Sequence, residues 1–119
     1  MARNERAVEE WLEDIVRWGD RLAVHLDGMS EEDFLHDART QDAVARCLEC
    51  IGEASGHVVA SGESQQLSGI EFVEAYWTRN RIAHGYYDLN QSRIWTTATQ
   101  SAPNLVSQVR RALQERGSK

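Results

Sequence analysis

The chain has 119 residues, 41% of them apolar and 27% charged, and a net charge of -6. This is the make-up of one soluble globular domain over residues 1–119, large enough to bury roughly two-thirds of its unfolded surface. It excludes a membrane span, because no apolar run approaches ~20 residues, and the polar start Met1-Ala2-Arg3-Asn4-Glu5-Arg6 has no signal-peptide core, so a cytoplasmic protein is expected.

Helical periodicity runs the length of the chain. Over residues 4–27, Val8, Trp11, Leu12, Ile15, Trp18, Leu22 and Leu26 recur at spacings of three and four with charged residues between them. Gly28 ends that helix, and Ser30 with Asp33 forms a capping box for a short turn around Phe34-Leu35. Asp37 opens a long helix with Val44, Cys47, Leu48, Ile51, Ala54, Val58 and Val59 as its apolar stripe. Residues 62–66 are polar and rich in Gly and Ser, and read as a loop. Ser68 with Glu71 reads as a second capping box, before a helix whose inward positions are Ile70, Val73, Tyr76 or Trp77, and Ile82. Gly85 terminates it. Asn90 caps a last helix carrying Ile94, Trp95, Ala98, Leu105, Val106, Val109 and Leu113, which Pro103 should kink or split. Strand-like alternation is absent. The expected fold is all-α, an antiparallel bundle of four to five helices.

Most constellations in the chain have ordinary explanations. Cys47 and Cys50 form a lone C-x-x-C within a helix, and reduced, half-buried thiols account for them. Glu49, Glu53 and His57 recur every four residues, yet no second helix carries a matching set, so no metal is expected. His25 and His36 fall at helix ends, and Trp11, Trp18, Trp77 and Trp95 occupy positions suited to a core.

The run Arg79-Asn80-Arg81-Ile82-Ala83-His84-Gly85-Tyr86 is different. It gathers a permanent cation, an amide, a titratable imidazole and a phenol at a helix end. Arginine matches phosphate geometry and histidine exchanges protons near neutrality, so together they can hold a phosphodiester and move a proton beside it. The alternative is a solvated, charged helix end. Five positions place Arg79 and His84 roughly 140° apart around a helix and about 7.5 Å apart along it. One helix cannot easily aim both at one phosphate, whereas two copies facing across a two-fold axis can. Asn80, His84 and Tyr87 share one face, and Arg79, Ala83 and Tyr86 share another.

Charge is unevenly distributed. Residues 1–75 hold 6 Arg and 17 acids, a balance of -11, while residues 76–119 hold 7 Arg or Lys and 2 acids, a balance of +5. The motif therefore lies in a basic third suited to a phosphate-bearing partner, with modest, salt-sensitive affinity for RNA.

Arg79, His84 and Tyr86 at this spacing resemble the signature of the HEPN ribonucleases, and in particular of the HepT-like toxins. Cys50-Ile51-Gly52-Glu53-Ala54, the run through Tyr86-Tyr87, and Ile94-Trp95 carry the likeness over roughly residues 40–115. The resemblance implies an all-α homodimer with two motifs facing across a cleft. It implies a metal-independent endoribonuclease, needing no cofactor, that acts by 2′-hydroxyl attack and leaves a cyclic phosphate. Arg79 and His84 become the catalytic pair, with Asn80 in support. The implied partner is a minimal nucleotidyltransferase antitoxin that can transfer AMP to Tyr86. Three positions depart from the pattern: Tyr87 stands where Phe is expected and offers a second phenol, Asn90 stands for Asp, and Arg93 replaces an apolar residue. The competing functional reading is a non-catalytic helical adaptor or nucleotide-binding module. The intact Arg79, His84 and Tyr86 favour the ribonuclease.

Overall fold

The computed structural model describes residues 7–67, 69–85 and 90–117, and every regular element within them is helical. Helix α1 spans Val8–Leu26 and buries Val8, Leu12, Ile15 and Leu22, with Trp11, Trp18 and Leu26 half-buried at its margins. The chain leaves α1 through Gly28, whose φ of 74° is costly for any residue with a Cβ. Helix α2, Glu31–Leu35, opens on the expected capping box. The Asp33 amide donates to Ser30 Oγ and the Ser30 amide to the Asp33 carboxylate, both at 3.1 Å. It buries Phe34, against which Trp95 packs.

Helix α3 spans Ala38–Ala60. Its cap, Asp37, accepts hydrogen bonds from the Thr40 amide at 3.0 Å and the Thr40 hydroxyl at 2.9 Å, which hold its carboxyl below the usual range. The predicted stripe is buried from Val44 to Val58, and Val59 is half-buried. Burial pushes the Cys47 thiol up to about 11 and raises that of Cys50; both are free.

Three sequence expectations change here. Much of the polar stretch after Gly62 is a 3₁₀ turn, Glu63–Leu67, because Leu67 is buried and Glu63 accepts from Arg116 at 3.2 Å. Helix α4 spans Phe72–His84 and begins after Glu71, which makes no side-chain cap. Gly69 has a φ of 89°, outside a helix, so the anticipated capping box does not start α4; Ser68 itself lies outside the described residues. The third concerns the face of α4. Phe72 and Ile82 are buried and Ala75 half-buried, whereas Val73, Tyr76 and Trp77 are exposed.

Asn90 caps helix α5, Gln91–Thr96, by accepting from the Arg93 amide at 3.1 Å. The split expected at Pro103 takes a specific form. Residues Thr97–Ser101 widen into a π turn in which the Ala102 amide donates five residues back to Thr97, and helix α6 follows over Ala102–Gly117. Proline has no amide hydrogen and its ring clashes with the carbonyl four residues earlier, here Thr99; widening the turn relieves both problems.

The long helices run antiparallel. Across α1 and α3, Trp11 meets His57 while Trp18 meets Arg46. Across α1 and α6, Glu9 meets Arg116 and Asp20 meets Arg110. Between α3 and α4, a Cβ added to Gly52 would meet Arg79 and one added to Gly56 would meet Tyr76. That pair of glycines, four residues apart on one face, brings the two backbones close and fixes where the α4 motif sits.

Candidate active site at the end of helix α4

Helix α4 fixes the directions of the motif. Counting 100° per residue, Phe72, Ala75, Arg79 and Ile82 point toward the bundle, while Val73, Trp77, Asn80 and His84 lie along the opposite side. The Gly85 amide closes the helix by donating to the Arg81 carbonyl at 2.9 Å.

His84 is exposed on the last turn, and its Nδ1 lies 2.9 Å from the Asn80 carbonyl oxygen. A carbonyl only accepts, so with this contact Nδ1 carries a proton, and Nε2 is the ring nitrogen left to accept one when the ring is neutral. The same Asn80 accepts at Oδ1 from Arg79 Nη1 at 3.0 Å. Asn80 thus touches both members of the expected pair, holding the imidazole by its backbone and the guanidinium by its side chain.

Arg79 is half-buried, and its Nη2 lies 3.3 Å from Glu53 Oε1 on α3. Two of its five N–H groups are accounted for, leaving three for a ligand. The other Glu53 oxygen lies 3.3 Å from His57 Nε2, and the His57 ring stacks on Trp11 at 3.9 Å between centroids and 4° between planes. His57 is therefore a link between α1 and the Arg79 partner. Among the described residues no group of three or more His, Cys, Asp and Glu is arranged to hold a metal ion.

The sequence pairs Glu53 only with Glu49 and His57, and its contact with Arg79 goes unread there. The available signal was Gly52 and Gly56 flanking it, which mark α3 as a close-approach face. Trp77, expected in the core, is 56% exposed, because the glycine contacts turn α4 so that Ala75 and Arg79 face α3. Tyr86 and Tyr87 lie outside the described residues. No helix among the described residues is long and apolar enough to cross a membrane.

Arg79 and His84 remain on different sides of one helix, as their spacing dictates. Each makes a hydrogen bond to Asn80. A cation and a free imidazole nitrogen at one exposed helix end can bind a phosphate and exchange a proton with a neighbouring hydroxyl.

Comparison with known proteins gives the family of the chain. The profile of the family described as "Ribonuclease HepT-like" matches residues 12–112. The chain is 31% identical over 102 residues to "Probable ribonuclease HepT" of Thermococcus cleftensis, covering 85% of this chain and 91% of that one. It is 31% identical over 105 residues to a protein of Caldanaerobacter subterraneus subsp. tengcongensis provisionally named an RNase, covering 88% and 93%. It is 25% identical over 111 residues to another provisionally named RNase, from Methanocaldococcus jannaschii, covering 93% and 91%. No solved structure matches.

Proposed function

Since the chain belongs to the ribonuclease HepT-like family and is accordingly an endoribonuclease, we propose that Arg79 and His84 carry the reaction and that it needs no metal ion. His84 Nε2 removes the proton from the ribose 2′-hydroxyl. The 2′-oxygen then bonds to the adjacent phosphorus as the bond from phosphorus to the 5′-oxygen breaks; the 5′-oxygen takes a proton from water and His84 returns its own to solvent, giving a 2′,3′-cyclic phosphate and a 5′-hydroxyl. Arg79 neutralises the charge gathering on the phosphoryl oxygens, and Asn80 orients both groups. The observation that carries this reading is the double contact of Asn80, which frees His84 Nε2 and steers the Arg79 guanidinium.

The active unit is a homodimer. Val73 and Trp77, 52% and 56% exposed, lie in line with Asn80 and His84, so an isologous contact through this face buries the apolar stripe and brings the two motifs together. A composite site then takes Arg79 from one protomer and His84 from the other; Arg79 is rooted on the bundle-facing side of α4, and its bond to Asn80 Oδ1 turns the guanidinium toward this face.

The biological role is that of a toxin in a toxin–antitoxin pair. A minimal nucleotidyltransferase antitoxin transfers AMP from ATP to Tyr86, or to Tyr87 beside it, two or three residues past His84. The bulk and negative charge then exclude RNA from the cleft.

Incubation with RNA in EDTA tests the central claim. Wild type should cleave and leave cyclic-phosphate ends, while His84→Ala and Arg79→Ala should each lose at least about a hundredfold in rate with helical content unchanged. Cleavage abolished by EDTA, or retained by His84→Ala, would sink the assignment.

A further inference from the structure

We propose that Arg81 and Arg93, on opposite walls of the groove between α4 and α5, form a second phosphate subsite that holds the RNA backbone beside the cleavage point. This deepens the ribonuclease reading and rests on it. The groove has a volume of about 660 Å³ and is bounded by both arginines together with Thr78, Ser92, Thr96 and Thr97. Its described lining contains two cations, several hydroxyls and no carboxylate. Both guanidiniums are exposed, and neither is held by a carboxylate among the described residues.

Position ties the groove to the reaction. Arg81 precedes His84 by three residues, so it lies about 60° around and 4.5 Å back along the same helix, as a direct neighbour. The backbone of Arg79 faces the other way, beside a cleft where Arg46 stands with it against Asp14, Glu49 and Glu53, so beyond the Arg79 guanidinium that side offers a polyanion no net positive charge. A strand engaged at Arg79 and His84 therefore continues toward Arg81 and Arg93. The run of cations is short: the adjoining cavity toward α6 is lined by Glu71 and Glu74 as well as Arg81. The subsite accordingly fits one or two phosphates and then ends.

The widened turn at Thr97–Ser101 contributes as well. Thr97 begins the π segment and lines both the groove and the adjoining cavity, so the irregularity imposed upstream of Pro103 shapes the groove wall. π turns of this kind recur at binding sites. Arg93, the position at which this chain departs from the apolar pattern it resembles, supplies half of the cationic pair.

The test uses full-length protein and a labelled 12-nucleotide RNA whose 2′-hydroxyls are methylated, so that it binds without being cut. Affinity is measured by anisotropy from 50 to 300 mM salt. Arg81→Gln and Arg93→Gln should each weaken binding several-fold at low salt. Each should reduce the slope of log affinity against log salt by about 0.7, the value for one lost single-strand phosphate contact. Arg93→Lys should restore the slope, and Arg111→Gln, outside the groove, should change it less. An unchanged slope in the Arg81→Gln/Arg93→Gln double variant, with wild-type cleavage intact, would overturn the subsite alone. The same unchanged slope with weakened binding of the nucleotidyltransferase would reassign the groove to that protein and also overturn the proposal. Failure of the wild type to cleave ordinary RNA would instead count against the ribonuclease reading.

Discussion

Glu53 Oε1 faces Arg79 Nη2 at 3.3 Å across the α3–α4 contact, so the arginine expected to meet phosphate is already held by a carboxylate. Both side chains are partly open to solvent, and the pair contributes at most about 1 kcal/mol to stability. Its consequence is positional: Glu53 and Asn80 together fix the plane of the guanidinium. Glu53→Ala should therefore lower kcat about tenfold with little change in melting temperature, while Glu53→Gln, which keeps an acceptor, should recover most of the rate. Equal kcat in Glu53→Ala and wild type would remove Glu53 from the site.

Gly52 is the position where α3 and α4 approach most closely around the motif. A Cβ there would lie 2.6 Å from the Ala75 carbonyl oxygen and press on Arg79, and backbone cannot yield as a flexible side chain does. Gly52→Ala should cost about 1–3 kcal/mol through overpacking, lowering the melting temperature by several degrees and displacing Arg79. Thermal unfolding and the cleavage rate measure the two effects separately.

The exposed stripe of α4 gives a test of assembly. Sedimentation of wild type should return about twice the monomer mass of 13.5 kDa. Trp77→Glu should yield a folded monomer without activity. Mixing inactive Arg79→Ala and His84→Ala chains is more discriminating. If each site takes one residue from each protomer, half the dimers re-form one intact site, and activity should return to about a quarter of wild type. No recovery after verified subunit exchange would place both residues of a site on one chain.

Control by modification is tested by mass. Incubation with the cognate nucleotidyltransferase, ATP and magnesium should add about 329 Da per AMP group, a value set by the chemistry of AMP transfer. Tyr86→Phe should stop most of the addition and retain much of the RNA cleavage. An adduct mapped to Tyr87 would move the switch by one residue. No adduct on either tyrosine would leave inhibition by complex formation alone.

Cys47 predicts an alkaline weakness. Burial raises its thiol to about 11 in the folded chain, whereas an unfolded thiol ionises near 8.5. The unfolded state therefore releases its proton first, and stability falls as pH climbs from the free-thiol value toward about 11. Urea midpoints at pH 8 and pH 10.5 should differ more for wild type than for Cys47→Ala. At pH 8 the folded chain should react only slowly with iodoacetamide, and both cysteines should react on unfolding.

Local chemistry was legible in the sequence wherever its cause was local. Asp37 and Asn90 cap their helices because a short acceptor three residues before a free amide does so in almost any context. The stripe of α3 is buried as its periodicity required, and the divergence of Arg79 and His84 followed from helix geometry alone. What depended on a neighbouring helix was not legible. Trp77 and Val73 are apolar enough for a core, yet they are exposed because Gly52 and Gly56 draw the Ala75 and Arg79 face of α4 against α3. Glu53 reads as one carboxylate in a polar row until α4 packs beside it and supplies Arg79. The sequence determined which groups are present and their order along each helix. Only the packing of one helix against the next decided their rotation, and with it which groups meet.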